Sequence, residues 1–152
     1  MSSRRLYLVR HASAGDRDKW AGDDDLRPLD KKGRRQAAGL VEQLAGSSGP
    51  VISSPSVRCV QTVEPLAIAR GMEIETTTDL AEGTGLKVLD VMRAAPDGAA
   101  LCTHGDVLFD LLGVLHRQGV VPGSAQAQKG STWVLGLDGD RVVEAGYLPP
   151  PA

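Results

Sequence analysis

Two arginines and two histidines stand where three short apolar runs give way to polar chain. Arg10-His11 follows Leu6-Tyr7-Leu8-Val9, Arg58 comes shortly after Val51-Ile52-Ser53, and His104 closes Ala99-Ala100-Leu101-Cys102-Thr103. A guanidinium stays charged and grips phosphate through a planar fork, while a neutral imidazole is a competent nucleophile toward phosphorus. Brought together, the four side chains would form a cationic, nitrogen-rich pocket for a phosphoryl group. They lie far apart in the chain, so the chemistry requires the three strand ends to converge on one cleft. In open α/β sheets, ligands bind at the carboxyl ends of such strands.

The patterning predicts those strands. Arg4 to Val9 is the first, followed by a polar loop from Ser13 to Arg27 that carries Asp16, Asp18 and Asp23-Asp24-Asp25. Asp30 reads as the N-cap of a helix with Ala37, Leu40, Val41 and Leu44 on one face and Gly46 as its stop. After strand Val51 to Ser53, Ser54 and Pro55 are expected as cap and first-turn proline of a helix running to Arg70-Gly71. Met72 to Thr76 alternates as a strand, Asp79 to Gly85 is a loop, and Leu86, Leu89, Val91 and Met92 suggest a short helix before Pro96. Strand Ala99 to Thr103 then precedes a helix capped by Asp106, with Leu108, Leu111, Leu112 and Leu115 as its apolar stripe. Thr132 to Leu137 and Arg141 to Tyr147 flank Asp138-Gly139 as a hairpin. The expected fold class is α/β: a three-layer sandwich, its sheet mainly parallel, with helices on both faces and a C-terminal hairpin, in a single domain over 1–152.

Bulk properties narrow the function. The 152 residues are 41% hydrophobic and carry a formal charge of −2, which argues against a nucleic-acid polymer or a membrane surface as partner. Any anion site must therefore be local. Aromatic content of 3% leaves little for a stacking platform, with Trp20, Tyr7 or Trp133 able to supply one contact at most. Cys59 and Cys102, the only cysteines, sit in apolar contexts and are expected to be buried thiols. No secretory h-region or spanning run is present in the sequence, so a cytoplasmic protein is expected.

Leu8-Val9-Arg10-His11-Ala12, Ser53-Ser54-Pro55-Ser56-Val57-Arg58-Cys59-Val60-Gln61-Thr62 and Thr103-His104-Gly105, in that order, resemble the histidine phosphatase (phosphoglycerate mutase-like) superfamily. Arg27-Pro28-Leu29 before a helix is similar to its short SixA-type branch. Asp30 to Arg34 and Lys129 to Leu135 are similar to the phosphatase half of mycobacterial two-domain MutT-type hydrolases. The resemblance implies hydrolysis of phosphomonoesters of small metabolites, sugar phosphates or nucleotides, through a phosphohistidine intermediate, without cofactor or metal. A protein phosphohistidine phosphatase is the alternative, and a non-catalytic phosphate-binding module is a rival from another class. A small phosphorylated substrate or a phosphohistidine protein is accordingly the expected partner.

In that scheme His11 is the nucleophile, and Arg10, Arg58 and a protonated His104 surround the phosphoryl oxygens. Arg58 in a helix's first turn opposes the helix dipole unless an anion offsets it, which favours this assignment. The resemblance points to an acid in the loop after the third strand, where Glu82 stands. Ser13 is close enough in sequence to His11 to donate to phosphate. Arg27 reads as an ion pair with the nearby aspartates, His116 as a surface residue, and Gln61 and Thr62 as ties between helix and site loop. Ala12 replaces the family's usual glycine. A neutral His11 working beside a charged His104 implies a bell-shaped pH profile on the acid to neutral side. Only 22 positions separate Glu82 from His104, too few for a large helical cover, so an open cleft is expected.

Overall fold

The computed structural model describes residues 3–152. Its strands are β1 (Ser3–Arg10), β2 (Val51–Ser53), β3 (Ile74–Thr76), β4 (Ala100–Thr103), β5 (Thr132–Asp138) and β6 (Arg141–Leu148). Its α-helices are α1 (Lys31–Gln43), α2 (Val57–Arg70), α3 (Val88–Ala94) and α4 (Gly105–Arg117). One sheet takes the order β3-β2-β4-β1-β5-β6. The first four of these strands are mutually parallel, and β5 and β6 run antiparallel beside β1. This is the expected mainly parallel sheet with an antiparallel hairpin at one edge.

Two apolar clusters cover the two faces. Leu40 and Leu44 from the α1 region join Cys59, Val63 and Leu66 of α2 against Val9, Val51 and Cys102. On the other face, Val88 and Met92 of α3 and the four leucines of α4's stripe pack on Leu6, Leu8, Leu101 and Leu135. Full burial of one leucine is worth about 1.5–3 kcal/mol, so the stripe alone anchors α4 firmly to the sheet. Both cysteines are buried free thiols, as expected. Among the described residues no helix is long and apolar enough to cross a membrane.

Local details depart from the sequence reading in instructive ways. Ser54 and Pro55 precede α2 rather than opening it: Ser56 is the N-cap, and the Ser54 hydroxyl is engaged by His104 instead. Asp106 is not a cap. His104 holds that position, and the Asp106 carboxylate in the first turn accepts the Gly83 backbone N–H at 2.8 Å. Strand β3 begins at Ile74, two residues later than the alternation suggested, and single 3-10 turns occupy Thr78–Leu80 and Gly85–Lys87, the second taking up Leu86 so that α3 starts only at Val88. Asp30 does cap α1, accepting from the Gly33 N–H at 2.8 Å. Gly71, in the left-handed conformation at φ 66°, ends α2.

Candidate active site

The parallel strands β2, β4 and β1 are adjacent, and in register Arg10 faces Thr103 while Ser53 faces Cys102. Their carboxyl ends therefore meet at one edge of the sheet. This alone brings Arg10-His11, the Ser54-to-Arg58 segment and His104 together from three distant parts of the chain. The His11 and His104 rings meet edge to face, 5.6 Å between centroids.

His11 is buried, and its Nδ1 lies 2.9 Å from the Ala12 carbonyl oxygen. A carbonyl only accepts, so Nδ1 carries the proton and Nε2 holds the lone pair. Desolvation lowers the His11 pKa to about 3, reinforced by the Arg58 and Arg10 cations and only partly offset by the Ala12 hydrogen bond. The ring is neutral in the fold. The Ala12 N–H is itself held at 2.9 Å by Thr62 Oγ1, whose hydroxyl donates to the Arg58 carbonyl at 2.7 Å. Gln61 accepts the Leu29 N–H at 2.8 Å. Both residues tie α2 to the site loop, as expected.

Among the described residues Arg58 is the largest fully buried side chain. Its guanidinium donates to the Asp24 carbonyl at 2.9 Å and lies 3.3 Å from the Asp24 carboxylate, 3.4 Å from Glu82 and 3.4 Å from His104 Nδ1. Arg10 donates to the Ala127 carbonyl at 2.7 Å, and burial lowers its pKa. The Nε atoms of both arginines are buried without a hydrogen-bond partner. Unmatched buried donors are costly, and two of them on cations beside a neutral imidazole favour an anion. His104 Nε2 sits 2.9 Å from Ser54 Oγ, so the ring is held from behind while Nδ1 turns toward Arg58 and Glu82.

An open cleft of about 740 Å³ spreads over this edge, lined among others by Arg10, His11, Arg17, Glu82, Gly105, Phe109 and Lys129. Glu82 is present as expected, its Oε2 3.8 Å from His104 Nδ1. Two neighbours were not anticipated. Arg17, read only as part of a polar loop, clasps the Glu82 carboxylate at 2.8 and 3.2 Å. Asp24, in the same polar loop, braces Arg58 and Arg17 as well as the Arg27 expected to pair with the aspartates. Only its place in an acidic run before Arg27 hinted at this. Arg27 is buried against Asp24 at 2.9 Å and against the Gly15 carbonyl, the structural role expected of it. Ser13 does not serve the cleft: its hydroxyl donates to the Asp30 carboxylate at 2.7 Å, where it supports the cap of α1. His116 is exposed at the end of α4. Trp20, Tyr7 and Trp133 are absent from the cleft lining, and the aromatic ring found there is Phe109.

A family model described as the histidine phosphatase superfamily (branch 1) matches residues 6–88. An 8-oxo-(d)GTP phosphatase of Mycolicibacterium smegmatis is 38% identical over 160 residues, covering 99% of this chain and 50% of the relative. The chain thus spans about half the length of that curated relative. Among solved structures, the protein histidine phosphatase SixA complexed with tungstate aligns with a TM-score of 0.75 at 18% identity, over 97% of this chain and 96% of that one. A mycobacterial glucosyl-3-phosphoglycerate phosphatase aligns with a TM-score of 0.65 at 18% identity, over 96% and 97%. At such identities the two structures share the fold.

Proposed function

The chain belongs to the histidine phosphatase superfamily, and from that membership and the cleft's geometry we propose that it hydrolyses phosphomonoesters of small metabolites through a phosphohistidine on His11. The observation that carries this is His11 itself, a buried neutral imidazole with Nδ1 pinned to Ala12. In the first step Nε2 forms a bond to phosphorus as the ester P–O bond breaks, and Glu82 gives a proton to the departing oxygen. Water then attacks phosphorus with Glu82 as base, releasing phosphate and the imidazole. The transition state spreads negative charge over the equatorial oxygens. Arg10 and Arg58 meet that charge, which leaves no step that calls for a metal.

His104 needs a second proton to act as a donor here. A guanidinium only donates, so the Arg58 approach goes with an unprotonated Nδ1 and an Nε2–H shared with Ser54. A phosphoryl group drawing Arg58 away leaves Nδ1 facing the phosphoryl oxygens. The same displacement frees the Glu82 carboxyl from Arg58.

The open cleft also suits a phosphohistidine presented by a protein, which is the second reading. Phosphate release measured for wild type, His11→Ala and Glu82→Gln on sugar phosphates, nucleotides and a phosphohistidine peptide tests both. His11→Ala is expected to abolish release, and substantial turnover by it would overturn the mechanism. Glu82→Gln is expected to slow esters far more than the peptide, because an alkoxide needs acid assistance that a histidine leaving group does not.

A further inference from the structure

Helix α4 turns its leucine stripe to the core, yet its other side carries an apolar residue that phosphoryl chemistry leaves without a task. Phe109 is 50% exposed and lines the cleft. It follows Gly105 by four residues, so the two share one helix face. That face meets Arg10: a Cβ placed on Gly105 would stand 2.7 Å from the guanidinium carbon. The phenyl ring thus continues the wall that begins at the phosphoryl-binding arginine.

The chain has only two tryptophans, two tyrosines and one phenylalanine. Four of the five rings have internal tasks. Trp133 donates to the Gln126 carbonyl and packs on Tyr147, whose hydroxyl accepts the Gln128 N–H. Trp20 donates to the Asp23 carbonyl, and Tyr7 packs against the core beneath α1 and α2. Phe109 stands outside every apolar cluster. Single exposed apolar residues are ordinary on protein surfaces, but among the described residues this one is the sole Phe, Tyr or Trp ring in the lining of the cleft that holds His11. Moreover, a cleft of about 740 Å³ lies in the range that accommodates a drug-sized ligand, far more than a phosphoryl group.

We infer that Phe109 is a specificity-determining residue that stacks on a planar ring in the leaving group, so that nucleoside monophosphates are preferred to plain sugar phosphates. The inference rests on the phosphatase reading above. Four residues of helix, about 6 Å along the axis, separate Phe109 from the Gly105 position beside Arg10. A ribose introduces an offset of this kind between phosphorus and base. A phenyl face supplies no hydrogen bond to a sugar hydroxyl, whereas every nucleobase has a π-face to lay on it.

The test compares kcat/KM for a nucleoside 5′-monophosphate and for ribose 5-phosphate, which differ only in the base. Wild type is expected to favour the nucleotide. Phe109→Ala is expected to reduce that preference by about five- to hundredfold, mainly through KM, the range that removal of one base-stacking ring produces. Phe109→Trp is expected to restore it. Equal handling of both compounds by wild type, or a preference that Phe109→Ala leaves in place, overturns the inference. Calorimetric binding of the same two compounds to His11→Ala, with and without Phe109→Ala, needs no turnover. If no ester is hydrolysed but binding shows a Phe109-dependent nucleotide preference, the phosphatase reading fails and the stacking assignment stands. Binding without such a preference, or binding only of a phosphohistidine peptide, overturns the assignment itself.

Discussion

Phosphoryl transfer to nitrogen makes opposing demands on one small volume, which must be positive enough to hold phosphate while its nucleophile stays uncharged. The two demands reinforce each other here, because Arg10 and Arg58 add to burial in holding the His11 pKa down near 3. In the proposed mechanism the Nδ1 contact with Ala12 selects Nε2 as the attacking nitrogen. Removing one preorganised donor from such a site typically costs about 2.7–4 kcal/mol, two to three decades in rate. Arg58→Ala and His104→Ala are each expected to fall by that much in kcat, and a loss under tenfold in either would remove that residue from the transition state. Not every residue near His11 in sequence shares its task. Ser13 lies two positions away, yet the chain turns so that its hydroxyl caps a helix through Asp30. The dipeptide context shows proximity and says nothing of direction.

At the scale of elements, β1, β2 and β4 deliver the site by ending together, and the first turn of α4 supplies the surface on which Arg10 rests. Gly105 allows that contact. A methyl group there would meet the Arg10 guanidinium at 2.7–2.9 Å, closer than non-bonded atoms approach. Because Gly105 is at the first position of a helix and needs no positive φ, alanine is otherwise well tolerated. Gly105→Ala is therefore expected to keep the urea midpoint of the wild type while phosphate affinity and kcat/KM both fall at least tenfold. A large loss of stability, or unchanged activity, would show that Arg10 does not depend on this packing. The stripe on α4 and the ladder of β1 were legible as periodicity. The true start of α2 was not, since Ser54-Pro55 carries a strong start signal that His104 overrides by taking the Ser54 hydroxyl.

For the whole molecule, a neutral buried histidine links stability to pH. The folded His11 pKa lies near 3 and the ordinary value is 6.5, so between those limits the unfolded chain binds the extra proton. Stability from this group is then complete above 6.5 and is lost as pH falls toward 3. Asp24 and Asp30 act in the same sense at lower pH, since their folded pKa values are also depressed. Burial raises both, but hydrogen bonds from Arg27 to Asp24 and from Gly33 and Ser13 to Asp30, with nearby cations, hold them below 3.8. Their contribution is present above 3.8 and is lost only below it. Urea titrations between pH 6.5 and about 4 should thus show wild type losing more stability than His11→Gln, and parallel curves would refute the depressed His11. NMR titration of the His11 ring should likewise show no protonation through pH 6.5. The acid limb of the expected bell-shaped rate profile, so far as His11 sets it, accordingly moves down toward 3.

By itself the sequence determined the order of elements, the α/β class and the identities of His11, Arg10, Arg58 and His104 as candidates, while Glu82 came from the family resemblance alone. The rest follow from local periodicity, from side-chain chemistry, and from motifs each contained in a few consecutive residues. What only the tertiary structure decided is who meets whom. Arg17 on Glu82, Asp24 beneath Arg58, Ser54 behind His104 and Phe109 on the cleft wall are contacts between segments that the linear chain keeps apart. A side chain's partner across such a distance depends on strand order, register and the course of loops. Those are set by burial of the whole core, and no local pattern carries them.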